Sequence, residues 1–213
     1  MSIGFYYNFG VIIFLRNRRM EISYKKQLHA FINNLVNINK ADWEIFNKHL
    51  HFKEYDKNEV LQRAGETENY MYFLVEGVTR IFHINDNIEY TLRFNFPISA
   101  FNSYASFISR TPSLVNVEAI SNVKVFRISH YDLQNLYEIS KTAERVGRRM
   151  IEYLYVLREI KEIQMHSKTA EDYYFELIRN NKQLTEQISQ KHLASYLGIT
   201  PESLSRIKNK NKH

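Results

Sequence analysis

Ile188-Ser-Gln-Lys-His-Leu-Ala-Ser-Tyr-Leu-Gly-Ile-Thr-Pro-Glu-Ser-Leu-Ser-Arg-Ile207, with alternating Lys and Asn beyond it, reads as two short helices joined by a sharp turn. Ser189 stands where its hydroxyl can accept a first-turn N–H. Leu193, Ala194 and Leu197 then fall on one face at helical spacing. Gly198 can take the positive φ that ends a helix. Thr200 and Pro201 open the next one, because Pro at the first helical position gives up only an N–H with no partner inside the helix. Leu204 and Ile207 point back at the first helix and leave Glu202, Ser203, Ser205 and Arg206 outward. Two readings fit this spacing: an ordinary helical hairpin packed on the body, or the DNA-reading helix-turn-helix. Arg206, Lys208, Lys210 and Lys212 favour the second, since no acid follows Glu202 and a phosphate backbone attracts such a cluster.

The bulk composition is compatible with that partner. The chain has 213 residues, 44 % of them hydrophobic, which suffices for one large or two small domains with a real core. A net charge of +6 suits nucleic acid without demanding it. Six Gly and three Pro argue against long low-complexity linkers. The lack of cysteine excludes disulfides, thiolate zinc sites and cysteine-bound iron–sulfur clusters, and fits a reducing, cytoplasmic setting. Residues 5–15 are mostly apolar and are followed by Arg16, Arg18 and Arg19. That run falls short of the roughly 20 apolar residues that span a bilayer. Its charges follow the apolar stretch, whereas a secretory signal carries them before it. Anchoring at a membrane surface is one reading. An N-terminal extension over 1–21, with Met20 as the natural start, is the preferred one, and no membrane partner is expected.

Upstream of the helix pair, residues 22–50 carry apolar side chains at three- and four-residue steps, with Asn39 or Asp42 able to cap a second segment. Residues 52–128 change texture. Short apolar or alternating runs are separated by turn signals at Gly65, Gly77 and Asn85-Asp86-Asn87, which predicts an all-β barrel or sandwich. Ser129 can cap a following helix. A long helix is predicted over 141–165, spanning about 37 Å at 1.5 Å per residue. Val146, Met150, Tyr153, Leu157 and Ile160 form a stripe on it. The stripe either packs on its own barrel or closes a dimer across a two-fold axis, and the second reading is preferred. A further helix is expected over 167–180, capped by Ser167.

This order of elements resembles the cyclic-AMP receptor protein and fumarate–nitrate regulator (Crp/Fnr) family of transcription factors over about residues 22–207. Val60-Leu-Gln-Arg-Ala-Gly-Glu66, Tyr72-Phe-Leu-Val-Glu-Gly-Val-Thr-Arg-Ile81 and Leu197-Gly-Ile-Thr-Pro-Glu-Ser-Leu-Ser-Arg206 carry the likeness. It implies an α+β protein that is not an enzyme: N-terminal helices and a jelly-roll β-barrel of cyclic-nucleotide-binding type over 22–140, a dimerisation helix over 141–165, and a helix-turn-helix domain over 166–213; the β-wing that family members often add after the reading helix has no clear counterpart here. The implied partners are duplex DNA, a second copy of the chain, RNA polymerase and a small-molecule effector of unknown identity. On the DNA side the expected contacts are Ser189, Gln190, Lys191, Thr200, Glu202, Ser203, Arg206, Lys208 and Lys210. Arg206 would read guanine and Glu202 cytosine.

Two departures from the family bear on the effector. The Gly-Glu pair that holds the ribose of a cyclic nucleotide is absent from residues 96–115, and the position of the phosphate-binding Arg falls on Ser113, with Arg110 three residues early. A Ser cannot replace a guanidinium that binds phosphate bidentately, so tight binding of cyclic AMP is not expected. The expected effector pocket is Phe96, Ser99, Phe101, Tyr104, Arg110 and Ser113. No cofactor and no metal are expected. His49-Leu50-His51 with Glu54 has the residue types of a cupin-type metal site but no third spaced His, and two surface imidazoles are the simpler reading. A sensor or adaptor with a degenerate DNA-binding end is the remaining alternative.

Overall fold

The computed structural model describes residues 20–180, 182 and 186–210, so the apolar run at 5–15 and Lys212 lie outside the described residues. A helix over 20–35 (α1) and α2 (Lys40–Lys48) lead into eight strands: β1 (His51–Tyr55), β2 (Val60–Gln62), β3 (Tyr70–Glu76), β4 (Thr79–Asn85), β5 (Ile88–Asn95), β6 (Ser99–Phe101), β7 (Asn116–Ala119) and β8 (Val123–Ser129). A short helix α3 (Tyr104–Ser109) separates β6 from β7. After β8 come α4 (His130–Ile139), α5 (Lys141–Ser167), α6 (Ala170–Asn180), α7 (Gln190–Leu197) and α8 (Pro201–Lys210).

The strands form two four-stranded antiparallel sheets, ordered β1-β8-β3-β6 and β2-β7-β4-β5. Between them lies a core of Tyr55, Tyr72, Leu74, Ile81, Phe101, Val117, Ala119, Val123 and Val125. β3 explains its own dense sequence. Tyr72 and Leu74 enter this core, while Met71, Phe73 and Val75 point the other way into a second core with Leu28, Ile32, Phe46, Leu133 and Leu136 of the flanking helices. A strand covered on both faces reads as a continuous apolar run rather than an alternation.

The turns follow from the residues in them. Asp86 and Asn87 both have positive φ, 49° and 62°, and join Asn85 to its partner Ile88, as a two-residue hairpin that matches strand twist requires. Gly77 has φ +87°, and a Cβ there would lie 2.2 Å from the Asn122 carbonyl, so no other residue fits. The predicted caps at Asn39 and Ser129 form, each side chain accepting the N–H of Asp42 or Asp132.

Two expectations about the long helix need correction. It runs on to Ser167, and the next helix is capped by Thr169, whose hydroxyl accepts the Asp172 N–H at 3.1 Å. The stripe on it is divided. Val146 and Met150 are buried in the chain's own helix–sheet core and are not available to a partner, whereas Tyr153, Leu157 and Ile160 are exposed. The first two turns of α5 are pinned against α4, where Gly147 leaves room for the Tyr137 ring that a Cβ would strike. Beyond them α5 is only partly covered, with Leu154 still packed on the helix–sheet core and Lys161 still touching β5. Among the described residues no helix is long and apolar enough to cross a membrane.

Candidate functional site

The α7–α8 pair is built as its residues dictate. Ser189 Oγ accepts the His192 N–H at 3.2 Å. Gly198 ends α7 with φ 70°, and the Ile199 N–H returns to the Ala194 carbonyl at 3.1 Å. Thr200 Oγ1 accepts the Ser203 N–H at 3.2 Å and opens α8. Leu193, Ala194, Leu197 and the fully buried Leu204 lock the two helices together over Tyr173, Tyr174 and Ile188.

The outward face of α8 carries Glu202 and Arg206, both exposed. Arg206 Nη2 lies 3.3 Å from Ser203 Oγ, one turn back. The Glu202 carboxyl is held below the usual carboxylate range by its backbone N–H, then by the Thr200 hydroxyl and the Arg206 charge. Most of the remaining expected contacts are engaged within the chain. Gln190 Nε2 donates to the Pro201 carbonyl at 3.2 Å. Lys191 lies 3.6 Å from Glu89, and Lys210 lies 2.9 Å from Glu171. Both lysines are largely exposed, and such pairs contribute about 0–1 kcal/mol, so a phosphate can take either ammonium at small cost. Lys208 is half-buried.

The pair is seated on the barrel, which the sequence did not announce. β5 is the last strand of its sheet, and its open edge is covered by α7. Ser195 Oγ accepts the Thr91 N–H at 2.8 Å and donates to the Glu89 carbonyl at 2.6 Å, so one side chain satisfies two groups of the strand edge. The Phe94 and Tyr196 rings meet at 5.2 Å beside it. Glu89 also takes the buried Arg80 guanidinium at 2.5 Å, while Glu118 takes its other side at 2.6 Å. Val78, Phe94 and Ile120 of the barrel therefore share one core with the C-terminal helices. The only sequence signal was a Ser set between Ala194 and Leu197.

The expected effector pocket is not assembled. Phe101 is buried between the sheets, stacked on Tyr72 at 5.2 Å. Phe96 packs the opposite way, against the C-terminal helices, and Ser99 Oγ donates back to the Phe96 carbonyl at 2.6 Å. Tyr104 is exposed on α3. Ser113 is buried and bonded to Ser103 Oγ at 2.8 Å and to the Val115 carbonyl at 2.7 Å. Arg110 donates to the Glu68 carbonyl at 2.6 Å and to Asn69 Oδ1 at 2.5 Å, so its guanidinium is committed to the chain. The set divides because Phe96 lies in the loop after β5 and turns to the C-terminal helices, while Arg110 and Ser113 are held around Glu68 and Ser103. Sequence reasoning also missed Glu68. Its fully buried carboxylate accepts the N–H groups of Tyr70 at 3.0 Å and Ser103 at 3.3 Å, and burial pushes its pKa up to about 7. The imidazoles of the histidine pair part company: His49 Nδ1 lies 3.5 Å from Asp132, and His51 is exposed on β1. No group of three or more His, Asp or Glu that could hold a metal occurs among the described residues.

Comparison with known proteins agrees with this architecture. Residues 52–140 match the cyclic nucleotide-binding domain family. The fold is similar to that of the c-di-GMP responsive global regulator CLP of Xanthomonas campestris, with TM-score 0.64 and 19 % identity, covering 82 % of this chain and 92 % of that one. FixK2 of Bradyrhizobium japonicum gives TM-score 0.61 and 21 % identity over 76 % and 83 %. The Catabolite Activator Protein of Thermus thermophilus gives 0.53 and 14 % over 84 % and 85 %. No curated protein sequence matches at a significant level.

Proposed function

We propose, from a cyclic nucleotide-binding domain at residues 52–140 set in a Crp/Fnr-type fold, that the chain is a dimeric, sequence-specific DNA-binding regulator of transcription. The observation that carries this reading is α8: a helix braced by the buried Leu204 that turns Glu202 and Arg206 outward together. Arg206 can grip guanine O6 and N7, and Glu202 can accept from cytosine N4. Ser189, Gln190, Lys191, Thr200, Ser203, Lys208 and Lys210 surround them as phosphate contacts, which position the helix without reading sequence.

The exposed end of α5 supplies the pairing surface. Tyr153, Val156, Leu157, Ile160 and Ile163 are all at least 43 % exposed and recur at three- and four-residue steps. A second copy related by a two-fold axis covers this stripe with its own. The two α8 helices then enter successive major grooves about 34 Å apart on a near-palindromic site. The β-roll senses, and its hold on α7 transmits the signal.

Retardation of an operator-bearing genomic fragment tests the reading. Arg206→Ala is expected to cost roughly 1–3 kcal/mol in affinity and to relax preference at one base position. Unchanged binding to the operator and to a scrambled duplex contradicts the role given to Arg206. Cyclic AMP is not the effector, because Ser113 and Arg110 are both spent inside the chain. Calorimetry with cyclic AMP is expected to show no micromolar binding, and a micromolar constant overturns that statement.

A further inference from the structure

Arg93 on β5 and Lys161 on α5 meet where the barrel, the long helix and the C-terminal helices join. Lys161 Nζ donates to the carbonyl of Leu92, the residue next to Arg93, and lies 3.8 Å over the centroid of the Tyr196 ring. Arg93 Nη2 donates to the Ala100 carbonyl at 3.1 Å, the only hydrogen bond its guanidinium makes among the described residues. Both side chains are half-buried. No described carboxylate pairs with either one. Two of the barrel's other sheltered cations are matched by carboxylates, Arg80 by Glu89 and Glu118 at 2.5 and 2.6 Å and Lys124 by Glu76 at 3.1 Å, and Arg127, which has no described carboxylate partner, stands alone over the Tyr70 ring rather than beside a second cation. Burial, and then the neighbouring Arg93 charge, push the Lys161 pKa down to about 7. Burial likewise lowers that of Arg93, and the hydroxyls of Tyr196 and Tyr153 are the groups that oppose it.

Two like charges side by side and partly out of water repel each other, and a counter-anion removes that cost. We propose that this junction binds a small phosphate-bearing ligand, with Arg93 and Lys161 gripping its oxyanion. The guanidinium has N–H donors left over in the planar arrangement that phosphate oxygens accept, and the ammonium supplies a second charge. The Tyr196 ring lies against the Lys161 ammonium as an aromatic wall, and the Tyr153 hydroxyl is near enough to act on the Arg93 charge. The site joins β5 through Arg93, α5 through Lys161 and α7 through Tyr196. A ligand held there changes how firmly the α7–α8 pair sits on the barrel. This last consequence rests on the regulator reading above, whereas the binding itself does not.

The probe is inorganic pyrophosphate, compared with chloride at matched ionic strength, on the full chain. At a hundredfold excess over its dissociation constant the melting temperature is expected to rise by roughly 5–10 °C. Arg93→Gln and Lys161→Gln should lose the rise, and Lys161→Arg should keep it. Calorimetry at pH 8 in buffers of different ionisation enthalpy should show uptake of close to one proton per anion, because the ligand recharges Lys161. Arg93, Tyr153, Tyr196 and, behind it, Tyr173 are the titratable groups that face it. No difference between pyrophosphate and chloride overturns the proposal, as does a rise that persists in both Gln variants. A rise abolished by Arg206→Ala instead places the anion on α8, which sinks this site and leaves DNA reading intact. Specific DNA binding with no anion response likewise removes only this site, and an anion response in a chain that binds no duplex removes only the regulator reading.

Discussion

Leu204→Ala should abolish operator binding and cost about 2–5 kcal/mol of stability, the usual range for emptying a packed aliphatic site. Leu204 is fully buried and is the residue by which α8 is held to Leu193, Ala194 and Leu197. The other inward residue of α8, Ile207, is only half-buried and cannot take over the anchoring. An α8 that has lost its brace still carries Glu202 and Arg206 but no longer holds them at one angle. Thermal melts followed by circular dichroism should show an early loss of helical signal, while the strands, whose cores lie between the sheets and under α1 and α2, melt later. Arg206→Ala leaves the melt unchanged, which separates loss of a contact from loss of the helix that presents it. A Leu204→Ala chain that binds its operator within a few-fold of the original contradicts the role given to the brace.

The second large effect concerns pairing. Leu157→Asp together with Ile160→Asp should turn the dimer into a monomer and weaken operator binding by about 10²–10⁴-fold, the gain that linking two half-site contacts supplies. Across a two-fold axis each new carboxylate faces its own copy or a near neighbour, so charge is set against like charge. The protomer's melting temperature should hardly change, because neither side chain belongs to its own core. Met150→Ala should do the opposite. Met150 is buried under the barrel helices, so its loss weakens the protomer and leaves association alone. Sedimentation of the three chains distinguishes these outcomes. A double-Asp variant that remains dimeric shows that another surface pairs the subunits.

The contrast between Met150 and Leu157 shows what the sequence could and could not reveal. The period of the stripe marks one face of a helix, and it is correct over its whole length. Nothing in a period says what covers that face. Full burial in the helix–sheet core stops at Met150, and only the tertiary structure shows where. Local signals fared best: the caps at Asn39, Ser129, Ser189 and Thr200, the Gly198 turn and the Asp86-Asn87 hairpin are all fixed by residues within a few positions of each other. Ser167 and Thr169, two residues apart, offer the same capping signal, and the Asp172 N–H bonds to Thr169. The helix α3 was not foreseen at all. It has six residues and no side-chain cap bond, and the adjoining Ser103 is held by Glu68 and Ser113 from elsewhere in the barrel. The residues of the expected effector pocket are neighbours in sequence, but the loop between β5 and β6 turns Phe96 to the C-terminal helices while Phe101 enters the core between the sheets. The Ser195 clasp on β5 spans more than a hundred positions, and the mismatch of Arg93 and Lys161 shows only when the carboxylates around them are located in space.

Sedimentation of the full chain with and without the shortest genomic duplex it retains, combined with footprinting of that duplex, weighs the whole reading at once. Two chains per duplex, with two protected half-sites about 34 Å apart, are the expected result. A chain that sediments as a monomer and retains no duplex fragment even at low salt contradicts it.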